Sequence, residues 1–405
     1  MKKIVLFLVV FVFCGILYAN SVFMFNGPVD FSMNRDTHGS GMGGTGSGDL
    51  FRINTSLINP AMSTTVNRVY FSTALSMGNI HYRDRENNSF RDDQIYLPYF
   101  NMIVPLRERH RIGFTYHTIS SGKMEVTGHG ESGLGSFRED HRVSFSLYNA
   151  GFFYANANDI VNFGIGLNFV LGHQVQFFRQ YDFVDSENDL MPSSFETDHS
   201  FKNSTFNIGL ARAFDRFSAG LAYSFPVDLK GEKSYRTNTI NEVIDKSPYE
   251  YPAQLTMGLT YRAHSLLYFS SDIDLQMWED TNNFDNAVNT LRAGVGVSWS
   301  GISRSRNFFA RLPLRAGVSY RNLPFEVNDS QVHETAYHFG LSFPLRRQDS
   351  YLDFGLKLFS RGDASKHDFE ESGFLLSIGT QGFDILRRPL NRKAPRDIPV
   401  PDRRN

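Results

Sequence analysis

From residue 69 onward, large apolar residues and small or polar ones alternate along the chain with a period of two. In Phe163-Gly-Ile-Gly-Leu-Asn-Phe-Val-Leu171 the odd positions are large and apolar, while Gly164, Gly166 and Asn168 lie between them. That spacing predicts a β-strand with one greasy face and one small or polar face. The pattern returns with Leu255, Met257, Leu259 and Tyr261 opposite Thr256, Gly258 and Thr260, and with Tyr337, Phe339, Leu341 and Phe343 opposite His338, Gly340 and Ser342. It also returns with Leu314, Ala316, Val318 and Tyr320 opposite Arg315, Gly317, Ser319 and Arg321. Alternation alone leaves the lipid face open, because a soluble sandwich turns its apolar side inward.

The connections narrow the choice. About fourteen strands are predicted, at 69–78, 94–106, 110–120, 141–155, 161–178, 204–214, 217–230, 251–263, 265–278, 289–300, 311–323, 336–346, 350–361 and 372–383. Short links at 107–109, 156–160, 215–216, 264 and 347–349, with one longer exception at 301–310, take turns with long ones at 79–93, 121–140, 179–203, 231–250, 279–288, 324–335 and 362–371. An even strand count with short turns at one end and long loops at the other is the layout of a transmembrane antiparallel β-barrel. The apolar phase slips around Pro98 and again at Asn149-Ala150, and both slips predict bulges.

Four domains are expected: a signal peptide at 1–19, an N-terminal plug or hatch at 20–68, the barrel at 69–383 and a basic, Pro-rich tail at 384–405. Lys2 and Lys3, the apolar run Ile4–Leu17 and the small residue Ala19 before Asn20 make a cleavable signal. The single cysteine, Cys14, lies inside that signal, which leaves the rest of the chain with no disulfide, thiol nucleophile or Cys metal site. An exported, all-β chain with 38 Phe and 18 Tyr but 2 Trp points to the outer membrane of a bacterium. With 41 basic against 42 acidic residues there is no field for nucleic acid. In the plug, Gly39 to Asp49 carries glycine at 39, 41, 43, 44, 46 and 48, a backbone suited to lying close against a wall. Gly39-x-Gly41-x-x-Gly44 also fits the dinucleotide fingerprint, but no strand precedes it and no Lys follows it.

Gly41-Met-Gly43-Gly44, the spacer to Asn59-Pro60-Ala61, the strand start at Val69-Tyr-Phe71, and Gly151-Phe-Phe-Tyr-Ala-Asn-Ala-Asn-Asp159 followed by Asn162 to Phe169 resemble the FadL-type outer-membrane transporters of long-chain fatty acids and hydrocarbons, a group related to the PorV-like proteins. The resemblance covers the plug and the first five strands. It implies a fourteen-stranded barrel with a hatch, an apolar pocket beneath the outer loops, and sideways release of ligand through a kinked third strand. Gly41, Gly43, Gly44, Asn59, Pro60 and Ala61 match the hatch motif; Gly113, Ser120, Ser121 and Gly122 are the kink candidates. A tail after Phe383, where the family's barrel usually ends the chain, is a departure.

Phe137, Phe183, Val184, Leu190, Met191 and Phe195 are the expected ligand contacts, because loops 121–140 and 179–203 carry more apolar groups than solvated loops need. Ser–His catalysis is not expected: His264 adjoins Ser265 and His141 lies three residues from Ser144, and odd spacings on a strand place side chains on opposite faces. The histidines lack metal-ligand spacing, and no cofactor is implied. Arg292, Arg315, Arg321, Lys357 and Asp353 fall on the small-residue face, where they either pair across the lumen or line a water path, the structural role being the expected one. The expected partners are membrane lipid, a hydrophobic small molecule and, for the tail, a periplasmic partner; the barrel is expected to be a monomer. The rival readings are a PorV-like structural or secretion-associated barrel and a general diffusion porin.

Overall fold

A computed structural model of the 405-residue chain describes residues 20–29, 35–53, 55, 57–132, 135–183, 193–240, 243–246, 248–283, 286–302, 305–345 and 350–382. The predicted signal peptide and tail lie outside the described residues.

Eighteen strand segments form one sheet. In chain order they are β1 (Tyr70–Asp84), β2 (Ser89–Tyr96), β3 (Tyr99–Pro105), β4 (His110–Ser132), β5 (Gly135–Asn156), β6 (Asn162–Phe183), β7 (Ser193–Phe214), β8 (Phe217–Ser224), β9 (Val227–Thr237), β10 (Val243–Asp245), β11 (Tyr249–Tyr251), β12 (Gln254–His264), β13 (Leu267–Gln276), β14 (Thr290–Trp299), β15 (Leu314–Val327), β16 (Ser330–Pro344), β17 (Tyr351–Gly362) and β18 (Phe369–Gln381). Three staves are interrupted: β2 continues as β3, β8 as β9, and β10 and β11 lead into β12. The wall therefore has 14 staves. It closes where β1 pairs antiparallel with β18, from Ser72↔Gln381 to Asp84↔Phe369. Closure removes the sheet edges that a membrane would leave unsatisfied.

The alternation resolves into an outer and an inner face. Phe152, Val295 and Tyr337 are 59%, 58% and 56% exposed, and the same outward set includes Phe163, Phe206, Met257 and Phe339. Between them, Asn168, Thr256, Asp272, Arg315 and His338 are buried. An apolar outside around a polar inside is the pattern of a transmembrane barrel.

Two expectations are corrected. The links 79–93, 121–140 and 231–250 are largely strand, as are the ends of 179–203 and 324–335, because the hairpins continue the wall well past the membrane band. β4 and β5 pair without interruption from Ser120↔Leu147 to Ser132↔Gly135, and β15 turns into β16 through Asn328 and Asp329 at φ 53° and 56°, a primed hairpin turn. Here the outer face meets water while inner residues such as Ile80, Tyr82, Met124 and Phe201 join an apolar core, so the large-outside, small-inside alternation that marks a strand in lipid is lost. The second correction is the slip at Asn149-Ala150, which is not a bulge. β5 keeps its odd positions inward throughout. Val143, Phe145 and Leu147 are buried inside, while Phe152 faces outward. What changes along β5 is the character of the interior, from apolar to polar. The break at Pro98 is real, since β2 ends at Tyr96 and β3 begins at Tyr99.

Candidate functional site

The described residues between 35 and 66 run against the small and polar inner face of the wall. Asp36 caps one helical turn, Thr37–Ser40, by accepting from Gly39 N at 2.7 Å. The ribbon that follows places Gly43, Gly44 and Gly46 at φ 75°, 74° and 130°, a region that glycine enters without strain. The wall answers with glycines of its own. A Cβ on Gly220 would stand 1.9 Å from Ser47 O, one on Gly258 2.5 Å from Gly48 N, and one on Gly317 2.4 Å from Gly43 N. On the ribbon's side, a Cβ on Gly41 would meet the Gly340 backbone at 3.0 Å. The small positions between the apolar ones thus mark where one backbone rests on another.

Asn59, Pro60 and Ala61 make a second contact of this kind. Asn59 Nδ2 donates to Ser47 O (3.0 Å) and to Leu210 O (3.2 Å), and its Oδ1 accepts from Ala61 N (3.1 Å). Pro60 opens the turn Pro60–Thr65, where a missing N–H costs nothing. Gly209 and Gly164 leave room for it: added Cβ atoms would stand 2.1 Å from Asn59 Oδ1 and 2.7 Å from Ala61 N.

Buried charges tie the segment to the wall. Arg35 donates to Asp272 (3.0 Å) and Asp274 (3.1 Å), and Arg292 also pairs with Asp274. Arg315 donates to His38 Nδ1 at 2.6 Å and lies 3.5 Å from Asp353. Glu334 accepts from Arg321 (2.9 Å), Lys357 (2.7 Å) and Arg361, and Arg361 reaches Glu371 (2.7 Å). Glu371 in turn accepts from Ser21 Oγ (2.6 Å) and Val22 N (2.7 Å). The charged residues noted on the small face are therefore paired, as expected. Sequence spacing did not reveal Arg35, Asp272, Asp274 or Glu334 as members of these clusters.

Towards the long hairpins the interior turns apolar. The turn Val22–Phe25 adds Val22, Phe23 and Met24 to the apolar core that also holds Phe145, Phe201 and Tyr249. Phe201 and Tyr249 stack with centroids 4.4 Å apart and planes 6° from parallel. At the boundary between this core and the ion clusters lies a cavity of about 60 Å3. Ile119, Leu147, Trp278 and Leu323 line one part of it, and Arg292 and Arg321 another.

Beside the cavity the wall is open. β3 pairs with β4 up to Tyr99↔His117, and Thr118 donates to Pro98 O and Leu97 O. The register of β4 against β5 then shifts between Thr118 and Ser120. The extra residue is Ile119, which turns its side chain into the core. Beyond it, among the described residues, β2 pairs only with β1 and β4 only with β5. Asn20 spans the opening, with Oδ1 accepting from Lys123 N (3.0 Å) and Nδ2 donating to Asp92.

Of the kink candidates, Ser120 and Ser121 directly follow the register shift, and Gly122 lies opposite Phe145. Ser120 Oγ also donates to Val29 O at 2.7 Å. Gly113 is corrected: it sits in regular pairing between Ile103 and Phe153, where a Cβ would strike the Phe153 ring at 2.2 Å. Of the expected ligand contacts, Phe137 and Phe195 lie on β5 and β7 rather than on loops folded over the mouth, on the inward side of the extended wall. Phe137 covers Gly130, and Phe195 packs near Tyr235 at 6.3 Å. Val184, Leu190 and Met191 fall outside the described residues, as does the side chain of Phe183. Of the Ser–His pairs, Ser265 Oγ does come within 3.3 Å of His264 Nδ1, because His264 ends β12 and Ser265 opens the exposed turn that follows.

Three solved structures share the fold. A FadL homologue from Pseudomonas aeruginosa aligns with TM-score 0.60 and 12% identity over 86% of this chain and 98% of its own. The toluene transporter TodX of P. putida aligns with TM-score 0.58 and 15% identity over 87% and 99%. The monoaromatic hydrocarbon channel CymD aligns with TM-score 0.56 and 14% identity over 88% and 99%. No curated protein matches the sequence. The BamG family model matches residues 1–381, and a match over that much of the chain makes this protein a member of the BamG family.

Proposed function

We propose that this barrel stands in the bacterial outer membrane and passes hydrophobic small molecules, long-chain fatty acids or hydrocarbons, inward without chemical change. Residues 20–68 act as the hatch, and ligand leaves sideways into the membrane. The observation that carries this reading is the opening between β2 and β4 beside an apolar core, with Ile119 at their meeting point. Arg292 and Arg321, beside Asp274 at the polar side of the cavity, suit a polar head group, while the Ile, Leu and Trp side suits the chain. Solved barrels of the same fold are described as toluene and monoaromatic hydrocarbon transporters.

Deleting Ile119 removes the extra residue and lets β4 run in register past Thr118. Uptake of a radiolabelled fatty acid or of toluene by cells should then fall at least tenfold, with assembly unchanged on heat-modifiable gels. Full uptake in the assembled variant would end the lateral route.

A second reading, a structural or secretion-associated barrel that holds a protein partner, draws on the size of the cavity. About 60 Å3 is far below the ~300 Å3 of ordinary ligand sites, so this cavity as it stands does not hold a long acyl chain. Mass spectrometry of material extracted with the protein in mild detergent separates the two. Stoichiometric acyl chain or hydrocarbon supports transport; a stoichiometric polypeptide lost on deleting 384–405 supports the partner reading.

A further inference from the structure

Among the described residues, the part of β4 that stands above the opening is a strand with one partner strand. Lys123 N points away from β5, since it donates to Asn20. The pairing of β4 with β5 runs unbroken from Ser120 to Ser132. In an antiparallel ladder the outward-pointing backbone groups recur at every second residue, so the N–H and C=O of Glu125, Thr127, His129 and Glu131 face the open edge. Residues 125–129 are exposed throughout. Natural sheets cover or blunt such a row because it templates another strand.

The side chains flanking the edge are unequal on its two sides. Inward stand Met124, Val126, Gly128 and Gly130. A Cβ on Gly128 would meet nothing within 4 Å, and the ring of Phe137 covers Gly130. Outward stand Lys123, Glu125, Thr127, His129 and Glu131, with Glu125 bonded to Arg142 at 3.1 Å and 3.2 Å.

We propose that residues 123–131 of β4 receive an extended segment of a different protein, which adds to the sheet as a further strand. Only another extended backbone matches a row of N–H and C=O groups at this spacing, which sets protein above lipid or sugar as the occupant. The inserted strand carries large apolar or aromatic residues at the positions that lie over Gly128 and polar ones on the outer side. A second copy of this chain is unsuited. A two-fold axis along the membrane normal would set the same β4 residues at equal height, N–H against N–H, with the strands parallel. The inference goes beyond transport and does not depend on it.

The test uses full-length protein in its native outer membrane, with a photo-crosslinking phenylalanine analogue at His129. Irradiation should give one major protein adduct, with the crosslinked peptide resolved by mass spectrometry. Thr127→Pro removes an edge N–H and leaves the β5 ladder intact, so it should cut the adduct at least tenfold; Thr127→Ala should leave it within twofold. Hydrogen exchange supplies a measurement free of any variant. The amides of Glu125 and Thr127 should exchange at least tenfold more slowly in native membranes than in the purified protein. An adduct to lipid or sugar alone, an adduct between two copies, no adduct, or a yield indifferent to Thr127→Pro with equal exchange in both preparations would each overturn the proposal.

Discussion

Replacing Gly220 by Ala, alone and with Gly258→Ala, tests whether the Gly-rich ribbon closes the lumen. The Cβ at 220 would lie 1.9 Å from Ser47 O, and the Cβ at 258 2.5 Å from Gly48 N. An ordinary contact needs about 3.4 Å or more, so the ribbon must retreat by well over 1 Å. The wall cannot yield, because Gly220 and Gly258 are register partners within the ladder between β8 and β12. The retreat breaks what holds the ribbon there: Asn59 Nδ2 to Ser47 O (3.0 Å), Ser47 N to Asp272 (2.9 Å) and Ser218 Oγ to Gly48 O (2.6 Å). Two neutral bonds at about 1 kcal/mol each and one to a charged group at about 1.5–3 kcal/mol give a loss of roughly 3.5–5 kcal/mol. The ribbon should therefore leave its seat while the barrel persists. Single-channel recording in planar bilayers should show long-lived ion conductance in the double variant and rare openings in the wild type. Limited proteolysis should cut within residues 41–49 of the variant only. A closed, protease-resistant double variant that is properly assembled would refute the argument that this backbone contact shuts the lumen.

Further outcomes follow from the interior. Glu334→Gln removes the carboxylate shared by Arg321, Lys357 and Arg361, of which Arg361 keeps Glu371, and urea unfolding in micelles should show a loss of about 3–5 kcal/mol. Phe201→Ala removes a ring stacked on Tyr249 and should cost about 3–5 kcal/mol. Under the transport reading the same variant should hold more co-purifying hydrocarbon per barrel, measured by mass spectrometry. On the extended hairpin, hydrogen bonds from Arg142 hold the Glu125 carboxyl below its usual range. That pair's stabilisation is present above the ordinary glutamate pKa of 4.5 and fades as pH falls through the lower folded value. Because both side chains are more than 40% exposed, it contributes less than about 1 kcal/mol. Exchange at the β4–β5 tip, corrected for intrinsic rates, should quicken modestly below pH 4.5, and Arg142→Ala should remove that dependence.

What was legible in the sequence follows from what each face meets. Between lipid and the glycine ribbon, as along Phe163 to Leu171, the outer positions must be large and the inner ones small, and the strands show plainly. Above the membrane, Glu125 to His129 is exposed on both sides, so a paired strand there carries the composition of a loop. The phase slip in β5 belongs to a third case. Val143, Phe145 and Leu147 are apolar because they face the core around Phe201 and Tyr249, and Phe152 is apolar because it faces lipid. A sequence registers both as hydrophobic and cannot say that the side has changed; only the register against β4 and β6 separates a swapped environment from an added residue. The added residue is in fact across the ladder at Ile119, where the run Tyr116 to Ser121 has too little contrast to show a slip. The same reasoning explains the ion clusters. Arg35 sits in the ribbon and its partners Asp272 and Asp274 in β13, more than two hundred residues on, and no local pattern links them. Their pairing depends on closure of the barrel around the ribbon. A ribbon held by residues so distant in sequence is fixed only when the last staves close, so the interior charges should be among the last contacts to form as the barrel assembles.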